Sequence, residues 1–248
     1  MNRETAVIIP SYKEVENLLI LLQKLTNILP GATIVVVDDS PEAENKKIRE
    51  IVAQTKNTLV ISRMQKLGRG SAVLAGFVKA LENKKIAYFF EMDSDMAHNP
   101  EEMKKFLEKI KKEPCDMVVG SRYLSGGTVK NMPIYRKLVS KMSNRFLSIL
   151  LGVRLTDYTS GFRVYSRAAI EYLAQANIQT TGFITLSEIA YLLHRQGFCI
   201  REIPITVYGR TTGKSTVTPK LLLTSLISII QIRLQDIIIP LQTKVKEK

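Results

Sequence analysis

The amino-acid sequence predicts an α/β fold with a Rossmann-like, mostly parallel central sheet and helices on both of its faces. Two observations support this prediction: short apolar runs alternate with stretches of helical period, and each apolar run closes on polar residues. Such alternation is typical of βαβ units. The carboxyl ends of parallel strands meet at one edge of their sheet, so the closing polar residues are expected to form a binding site there.

Five apolar runs are predicted as strands, and four stretches with one apolar helical face are predicted as the helices between them. The strands are Ala6–Ile9, Ile34–Val37, Leu59–Ile61, Ile86–Phe90 and Met117–Val119, and the helices are Val15–Ile28, Lys46–Ala53, Ser71–Leu81 and Glu101–Ile110. Beyond Arg122 the pattern loosens into a loop before a long helix at about residues 134–151. Further helices are predicted near 168–174 and 184–195, with strand-like runs at 162–165 and 198–207.

Composition and charge narrow the function classes. The chain of 248 residues is 45% hydrophobic and 24% charged, which is ordinary for a globular protein and argues against disorder or a multi-span membrane protein. Its net charge of +13 is unevenly distributed along the chain. Residues 1–110 carry a net charge of +1 and residues 111–248 a net charge of +12. The basic second half suggests a polyanionic partner: nucleic acid, an anionic membrane surface or a phosphorylated substrate. The aromatic and basic residues of this half are not interleaved in any recognised RNA-binding pattern. This argues against a nucleic-acid partner.

An apolar run that ends in two carboxylates is the most informative motif. The run Phe89-Phe90-Glu91-Met92-Asp93-Ser94-Asp95 has the form of a buried strand that delivers two acids to the sheet edge. Hard divalent cations take oxygen ligands and usually keep phosphate oxygens in their shell, so this pattern suits a metal and diphosphate site. A solvated acidic turn is the alternative for an isolated Asp-x-Asp.

Polar residues after the other strands converge on the same edge. Pro10, Tyr12 and Glu14 follow the first strand, and Asp38 and Asp39 follow the second. An aromatic ring with carboxylates can hold a nucleoside, because the ring stacks on the base while the acids accept from base or ribose donors. A helix that opens at 67–70, in a Leu-Gly-Arg-Gly segment, offers N–H groups to an anion. Taken singly, each piece is more typical of a turn or a helix cap, and their joint placement at strand ends is the stronger signal.

Seven motifs in this order resemble those of family 2 glycosyltransferases, specifically polyprenyl-phosphate sugar synthases of the dolichol-phosphate mannose synthase type. They are Ile8-Ile9-Pro10-Ser11-Tyr12-Lys13-Glu14 with Glu16-Asn17-Leu18, Val36-Val37-Asp38-Asp39-Ser40-Pro41, Leu67-Gly68-Arg69-Gly70, Met92-Asp93-Ser94-Asp95, Gly120-Ser121-Arg122-Tyr123, Ser160-Gly161-Phe162-Arg163-Val164-Tyr165 and Glu202-Ile203-Pro204-Ile205. The resemblance spans about residues 5–216. It implies a GT-A fold, a nucleotide-sugar donor, Mg²⁺ or Mn²⁺ as cofactor and a polyprenyl or dolichyl phosphate acceptor.

The resemblance also assigns site residues. It implies a nucleoside site at Pro10, Tyr12, Glu14, Val37 and Asp39, and a metal at Asp93 and Asp95, with Ser94 and Ala97 beside the diphosphate. The implied phosphate contacts are Arg122 and Arg210 for the nucleotide sugar and Arg122, Arg136, Ser140, Arg163 and Lys214 for the acceptor. Two positions depart from the family pattern. Ala97 stands where relatives often have glutamine, and Lys214 lies two places before the usual lysine.

The chemistry needs no catalytic histidine. An acceptor phosphate is already anionic, so it can attack the anomeric carbon without a strong general base, and a single displacement inverts that carbon. Asp95, Asp157 and Arg136 are the expected catalytic residues, with Asp157 positioning the acceptor or, alternatively, capping a helix or turn. His98 is expected to cap a loop. Glu188 is expected either to orient an arginine or to lie on a solvated helix face.

The sugar and the nucleotide stay open at this point. The resemblance favours mannose from GDP-mannose over a UDP-hexose such as glucose or N-acetylhexosamine. Rival hypotheses are a phosphotransferase with an aspartyl nucleophile, a nucleic-acid-binding module and a non-catalytic scaffold of the same fold. The phosphotransferase is disfavoured because its Asp-x-Asp normally follows the first strand, whereas several strands precede Asp93.

Two segments predict contact with a membrane. In the helix near 134–151, Lys137, Lys141 and Arg145 form a basic stripe, while Ile134, Leu138, Met142 and Ile149 are apolar. The segment Pro219–Ile239 is apolar with a basic tail, but its run at 221–232 is shorter than the roughly 20 residues that span a bilayer. We therefore expect a catalytic domain at 1–216, a membrane-associating segment at 217–248 and a peripheral protein on the cytoplasmic face. The partner is an anionic membrane surface, with a separate membrane-anchoring subunit as the alternative.

Overall fold

A computed structural model of the chain describes residues 2–209 and Arg233. The strands are β1 (Thr5–Ser11), β2 (Thr33–Asp38), β3 (Thr58–Ser62), β4 (Tyr88–Glu91), β5 (Met117–Ser121), β6 (Thr128–Lys130), β7 (Arg163–Ser166), β8 (Ile200–Pro204) and β9 (Thr206–Tyr208). The α-helices are α1 (Val15–Ile28), α2 (Glu42–Ala53), α3 (Arg69–Leu81), α4 (Met103–Lys112), α5 (Ile134–Leu151), α6 (Arg167–Leu173) and α7 (Thr185–Arg195). Short 3-10 turns precede β1 and α4.

The central sheet has seven strands in the order β3-β2-β1-β4-β7-β5-β8. All neighbours pair in parallel except β7, which runs antiparallel to both β4 and β5. The predicted mostly parallel α/β sheet is confirmed. Since β7 is reversed, its amino end lies beside the carboxyl ends of β4 and β5, with Arg163 opposite Glu91 and Val119. The segment before Arg163 is thereby brought to the same edge as the Asp93 pair.

Alternating residues of the strands build a core on each face of the sheet. Ala6 and Ile8 of β1 belong to one cluster with side chains of α3, α6 and α7, whereas Val7 and Ile9 belong to the other with side chains of α1, α2 and α4. Strands buried on both faces are continuous apolar runs, which is why β1 and β2 were evident from the sequence. Helix α3 lies so close to the sheet that a Cβ on Gly76 would come within 2.4 Å of Ile8 Cγ2.

The region after β5 differs from the sequence prediction. The single strand-like run at 198–207 is two strands, β8 in the central sheet and β9 in a separate parallel pair with β6. The chain leaves the central sheet at Ile205, whose N–H donates to Ser121 O while its carbonyl accepts from Thr128 N, both at 3.0 Å. Strand β6 was predicted as loop, since its three residues carry no period and depend on β9 for their pairing.

The sheet order places a topological switch point at β1. The chain moves outward from β1 to β2 and β3, then returns to the opposite side of β1 as β4. Ligands of open α/β sheets bind in the crevice at such a point, outside the carboxyl ends of the strands. Tyr12, Asp39 and Asp93 follow the three strands that border this crevice.

Apart from Arg233, the predicted membrane segment lies outside the described residues, as do Arg210 and Lys214. Arg233 is described, and its guanidinium donates to the Tyr191 hydroxyl at 3.0 Å. Within the described part of the chain, no helix combines the length and apolar character needed to cross a membrane.

Candidate active site

The end of β1 presents an aromatic ring to solvent. Tyr12 is 37% exposed, and the ammonium of Lys66 lies 4.7 Å from the centre of its ring. The turn after β1 is held by the segment that follows β2, because the Lys13 N–H donates to Ser40 Oγ at 2.7 Å. Lys13 adopts a left-handed φ of 60° in this turn. Glu14 accepts from Asn17 Nδ2 at 2.6 Å. The arrangement leaves the ring of Tyr12 available for stacking, while Pro10 is buried within the strand.

The two aspartates after β2 have different partners. Asp38 is fully buried and accepts from Ser40 Oγ and Asn45 Nδ2, both at 2.7 Å, so it joins β2 to α2. Asp39 accepts from Arg63 Nε at 2.6 Å and Arg63 Nη2 at 2.8 Å, and also from Leu67 N at 3.0 Å. The bidentate pair makes Arg63 part of the site. Arg63 is not among the residues predicted from the sequence, although its place directly after β3 is a usable signal.

One residue implied for the nucleoside does not line this crevice. Val37 has no exposed surface and packs in the core cluster that contains Phe77 of α3. The assignment of Val37 as a nucleoside contact is therefore wrong for this structure, because a buried side chain facing α3 cannot contact a ligand in the crevice.

The carboxylate pair after β4 lies at the centre of the edge. Asp93 Oδ1 accepts from Arg69 Nε at 2.7 Å, and Asp95 Oδ1 accepts from Ala97 N at 3.1 Å. Both aspartates are partly exposed, whereas Ser94 between them is buried. Burial alone would lower the pKa of Arg69, but the charges of Asp93 and Glu91 outweigh it and the pKa is raised. Arg69 is thus a permanent cation beside Asp93.

A second buried arginine lies beneath the pair. Arg163 has no exposed surface, and its guanidinium donates to the carbonyls of Ser160, Tyr158 and Leu186 at 2.7–2.9 Å. Its Nε lies 3.8 Å from Glu91 Oε1. The assignment of Arg163 as an acceptor-phosphate contact is contradicted, because all of these interactions lie inside the core.

Glu91 connects the two arginines. It is fully buried, and Arg69 Nη2 lies 3.9 Å from the same Oε1 that faces Arg163. Burial raises the pKa of Glu91, and the two guanidinium charges oppose that rise. The neighbouring Gly161 allows the close approach, since a Cβ there would lie 2.1 Å from Arg69 Nη2.

Two of the N–H groups at the start of α3, which the sequence suggested for an anion, are already bound within the protein. Gly70 N and Ser71 N donate to Thr181 O at 2.8 and 3.3 Å. The loop that supplies this carbonyl is held by Glu188, which accepts from Gln179 N at 2.8 Å and Thr180 N at 3.0 Å. Glu188 is buried and organises a loop, so both expectations for it, an arginine partner and a solvated face, are wrong.

Arg122 and Asp157 form a bidentate pair on the other side of the edge. Arg122 Nε and Nη2 donate to the two carboxylate oxygens of Asp157 at 2.6 and 2.7 Å, and Arg122 N adds a third bond at 3.1 Å. Asp157 is fully buried, while the Arg122 side chain is 14% exposed. Burial alone would lower the pKa of Arg122, but the bonds and charge of Asp157 raise it. Asp157 therefore orients Arg122 and does not itself face a substrate.

Helix α5 brings two more predicted residues to this side. Asn144 Oδ1 accepts from Tyr158 N at 2.6 Å, which docks α5 on the segment that carries Asp157. Arg136 and Ser140 lie eight and four residues before Asn144, on the same helical row. Arg136 is exposed and Ser140 is partly buried.

His98 packs below the edge instead of capping a loop. Its ring stacks on Phe162 with the centroids 5.1 Å apart, and the residue is buried. Burial lowers the pKa of His98, against the opposing charges of Asp93 and Asp95. The position favours the neutral imidazole as part of the core.

Comparisons with known proteins agree with this architecture. Residues 6–173 match the family described as glycosyl transferase family 2. The chain is 35% identical to polyprenol monophosphomannose synthase of Mycolicibacterium smegmatis, over 87% of the chain and 82% of that protein. It is 34% identical to undecaprenyl-phosphate mannosyltransferase of Micrococcus luteus, over 85% and 86%, and 36% identical to dolichol-phosphate mannosyltransferase of Pyrococcus furiosus, over 88% and 60%.

Solved structures support the fold. Glucosyl-3-phosphoglycerate synthase from Mycobacterium tuberculosis, in complex with Mn²⁺, UDP and glucosyl-3-phosphoglycerate, superposes with a TM-score of 0.66 at 15% identity, over 97% of this chain and 82% of that one. The same enzyme with Mg²⁺ and UDP gives a TM-score of 0.64 at 17% identity, over 97% and 81%. At this identity the likeness concerns the GT-A fold alone.

The core position of Arg163 generates a stability prediction. Arg163→Met should lower the free energy of unfolding by roughly 3–5 kcal/mol, because it breaks a buried ion pair and leaves the Glu91 charge with a single distant cation. Adding Glu91→Gln should restore part of that loss, since no buried carboxylate then remains uncompensated. Urea unfolding followed by circular dichroism measures both changes.

Arg201→Met is the matched control, because the Arg201 side chain is 52% exposed and lies outside this network. Its effect should stay within about 0.5 kcal/mol. Arg163→Met with wild-type unfolding but weakened phosphate binding would restore the phosphate role to Arg163.

Proposed function

The chain belongs to glycosyl transferase family 2, and we propose that it transfers mannose from GDP-mannose to a polyprenyl or dolichyl phosphate with inversion at the anomeric carbon. The observation that carries the proposal is the meeting, at one sheet edge, of the Asp93 and Asp95 carboxylates with the Arg122–Asp157 pair. Carboxylates suit a metal and diphosphate, and an oriented arginine suits a phosphate. The names and 34–36% identities of the relatives support mannose and a polyprenyl phosphate.

In this proposal the donor nucleoside lies over the ends of β1 and β2. The exposed ring of Tyr12 stacks on the base, and the carboxylates of Glu14 and Asp39 accept from base or ribose donors. Asp39 is already fixed by Arg63 and by Leu67 N, so its orientation needs no rearrangement on binding. Pro10 lies in β1, one residue before its end at Ser11.

Asp93 and Asp95 would hold Mg²⁺ or Mn²⁺. No cluster of three or more His, Cys, Asp or Glu suited to a metal occurs in the part of the chain that the structure describes. Two carboxylates fit an ion that keeps water and substrate phosphates in its shell, and Ala97 has no side-chain donor to add. When bound, the ion neutralises charge on the departing diphosphate. Ser94 and Ala97 shape the loop around it.

The acceptor phosphate would lie between Arg122 and the start of α5. Arg122 is held by Asp157, while Arg136 and Ser140 project from a helix that is docked on the same segment. These cations offset the repulsion between two anionic substrates and align the acceptor for direct attack. Resemblance alone supports Arg210 and Lys214 as further phosphate contacts.

The outer face of α5 would rest on the membrane that contains the acceptor. Ile134, Leu138, Met142 and Ile149 are exposed, and Met142 and Ile149 have 71% and 75% of their surface in solvent. The basic stripe of Lys137, Lys141 and Arg145 borders them, which fits an anionic lipid surface. We propose a catalytic domain at 1–216, a membrane-associating segment at 217–248 and a peripheral location on the cytoplasmic face.

A panel of labelled sugar nucleotides tests the proposed reaction. With a short polyprenyl phosphate and magnesium, GDP-mannose should give a labelled lipid product, while UDP-glucose and UDP-N-acetylglucosamine should give much less, because the base and sugar contacts differ. Thin-layer chromatography of the organic phase measures transfer. If only a UDP-hexose gives a product, then the donor is that UDP-hexose and not GDP-mannose. If no donor gives a product, a non-catalytic scaffold is favoured.

Substitution of Asp95 tests the metal site. Asp95→Ala should reduce transfer by about 100-fold or more with the fold intact, since a group that stabilises leaving-group charge contributes on that scale. A chelator should abolish wild-type transfer, and added Mg²⁺ or Mn²⁺ should restore it. Glu101→Ala, which removes an exposed carboxylate from the turn before α4, is the control. Undiminished wild-type transfer in excess chelator would rule out the metal role.

Substitutions on α5 test the membrane surface. Met142→Glu combined with Ile149→Glu should reduce co-sedimentation with phosphatidylcholine vesicles that contain phosphatidylglycerol by at least about tenfold, because each apolar side chain loses its transfer free energy and gains a repelled charge. Leu19→Glu with Ile20→Glu makes the same charge change on exposed positions of α1 and should have little effect. Equal binding by all three proteins would instead favour docking on a separate membrane subunit.

A further inference from the structure

A carboxylate on the outer strand of the sheet holds the segment that carries Asp157. Glu202 lies in β8, beside Val119 of β5. Its two oxygens accept from Thr156 N at 2.9 and 3.0 Å, and Oε1 also accepts from Thr156 Oγ1 at 2.9 Å and Asp157 N at 3.1 Å. Glu202 is not among the residues proposed to contact either substrate.

The donor and the acceptor can be assigned in each hydrogen bond of the hydroxyl groups around Glu202. An ionised carboxylate can only accept, so the Thr156 hydroxyl donates to Glu202. The 2.6 Å bond between Ser121 Oγ and Thr156 Oγ1 is then donated by Ser121. Ser121 Oγ in turn accepts from Tyr123 N and Leu124 N, both at 3.1 Å. Glu202 is therefore linked, through Thr156 and Ser121, to the backbone that directly follows Arg122.

Asp157 transmits this order to Arg122. Its backbone N–H bonds to Glu202, while its carboxylate makes the bidentate pair with Arg122. The backbone position of Asp157 decides where its carboxylate lies, and that carboxylate decides where the guanidinium points.

We propose that Glu202 is a positioning residue for the transfer reaction: by fixing Thr156 and Asp157, it holds Arg122 toward the substrate phosphates. The inference rests on the proposed function, which makes Arg122 a phosphate contact. A carboxylate is required because the site presents several donors to two oxygens. An amide would place its own N–H₂ group against Thr156 N.

The surroundings of Glu202 give the proposal a pH signature. Burial raises the pKa of Glu202 above its usual value, the bonds from Thr156 and Asp157 lower it, and the nearby charge of Asp157 raises it again, with a net rise. As the pH falls, Glu202 is therefore protonated before an ordinary glutamate. Protonation removes acceptor capacity, so turnover should fall on the acid side as Arg122 loses its orientation.

Glu202→Gln tests the proposal in two independent ways. In ¹⁵N-labelled protein, hydrogen exchange at Arg122 Nε–H should accelerate by about tenfold, the equivalent of one lost hydrogen bond. The signal is identified by its absence in Arg122→Lys. In the transfer assay, kcat should fall by about tenfold with the KM for the donor nearly unchanged, and the acid limb of the pH profile should disappear.

Glu113→Gln is the control, because Glu113 is an exposed carboxylate paired with Lys109 and does not touch the Thr156 segment. It should change neither the exchange rate nor the pH profile. If Glu202→Gln does not fold, Thr156→Val keeps the backbone N–H but removes the hydroxyl link, and should produce smaller changes in the same direction.

Two results would overturn the inference: wild-type exchange at Arg122 in Glu202→Gln, or equal effects from Glu113→Gln. Failure of the proposed function has a different signature. In that case the wild-type protein transfers no sugar, but the exchange rate at Arg122 still reports whether Glu202 positions it.

Discussion

The site depends on one buried carboxylate. Glu91 ends β4 with no exposed surface, and an isolated charge in that position would be strongly unfavourable. Arg163 approaches it from the start of β7 and Arg69 from the start of α3. The same Arg69 then binds Asp93 on the surface. Two arginines near one buried carboxylate thus link the starts of α3 and β7 to the end of β4, and Arg69 also binds one of the two aspartates of the crevice.

Two further arginines are also held by buried carboxylates, here through direct bidentate hydrogen bonds. Arg63 is held by Asp39, and Arg122 is held by Asp157, each through two parallel bonds to a buried carboxylate. The carboxylates determine the direction of the guanidinium groups before any ligand arrives. Preorganised donors act without a reorganisation cost at the moment of reaction, which is the value of this arrangement for a proposed transfer between phosphates.

Helix α5 joins the proposed catalytic and membrane functions in one rigid element. Asn144, Leu147 and Leu151 face the protein, and Asn144 binds the segment that carries Asp157. Met142 and Ile149 face outward. A lipid surface under the outer face would place the phosphate of a membrane-bound acceptor near the opposite row, where Arg136 and Ser140 lie. The geometry of a single helix would then set the distance between lipid and donor.

The sequence by itself determined the elements and the place of the site. Apolar runs such as Ile34–Val37 and the helical period of Val15–Ile28 are local patterns, and the polar residues that close each strand are fixed to one edge by parallel pairing. The motifs also predicted that Asp93, Arg122 and Asp157 belong to the site. The elements and the strand-end carboxylates depend on nearest neighbours along the chain, so they can be inferred without the fold, whereas Arg122 was implied by the family resemblance.

Only the tertiary structure decided which residues face a ligand and which serve the core. Arg163 and Val37 are buried, Asp157 faces Arg122, and Thr181 occupies the amides at the start of α3. The split of the run at 198–207 depends on the pairing of β9 with β6. The place of Arg63 after β3 was a local signal, but its partner Asp39 lies 24 residues away. Burial and ion pairing join residues distant in sequence, and no local pattern specifies which partner a charged side chain will meet.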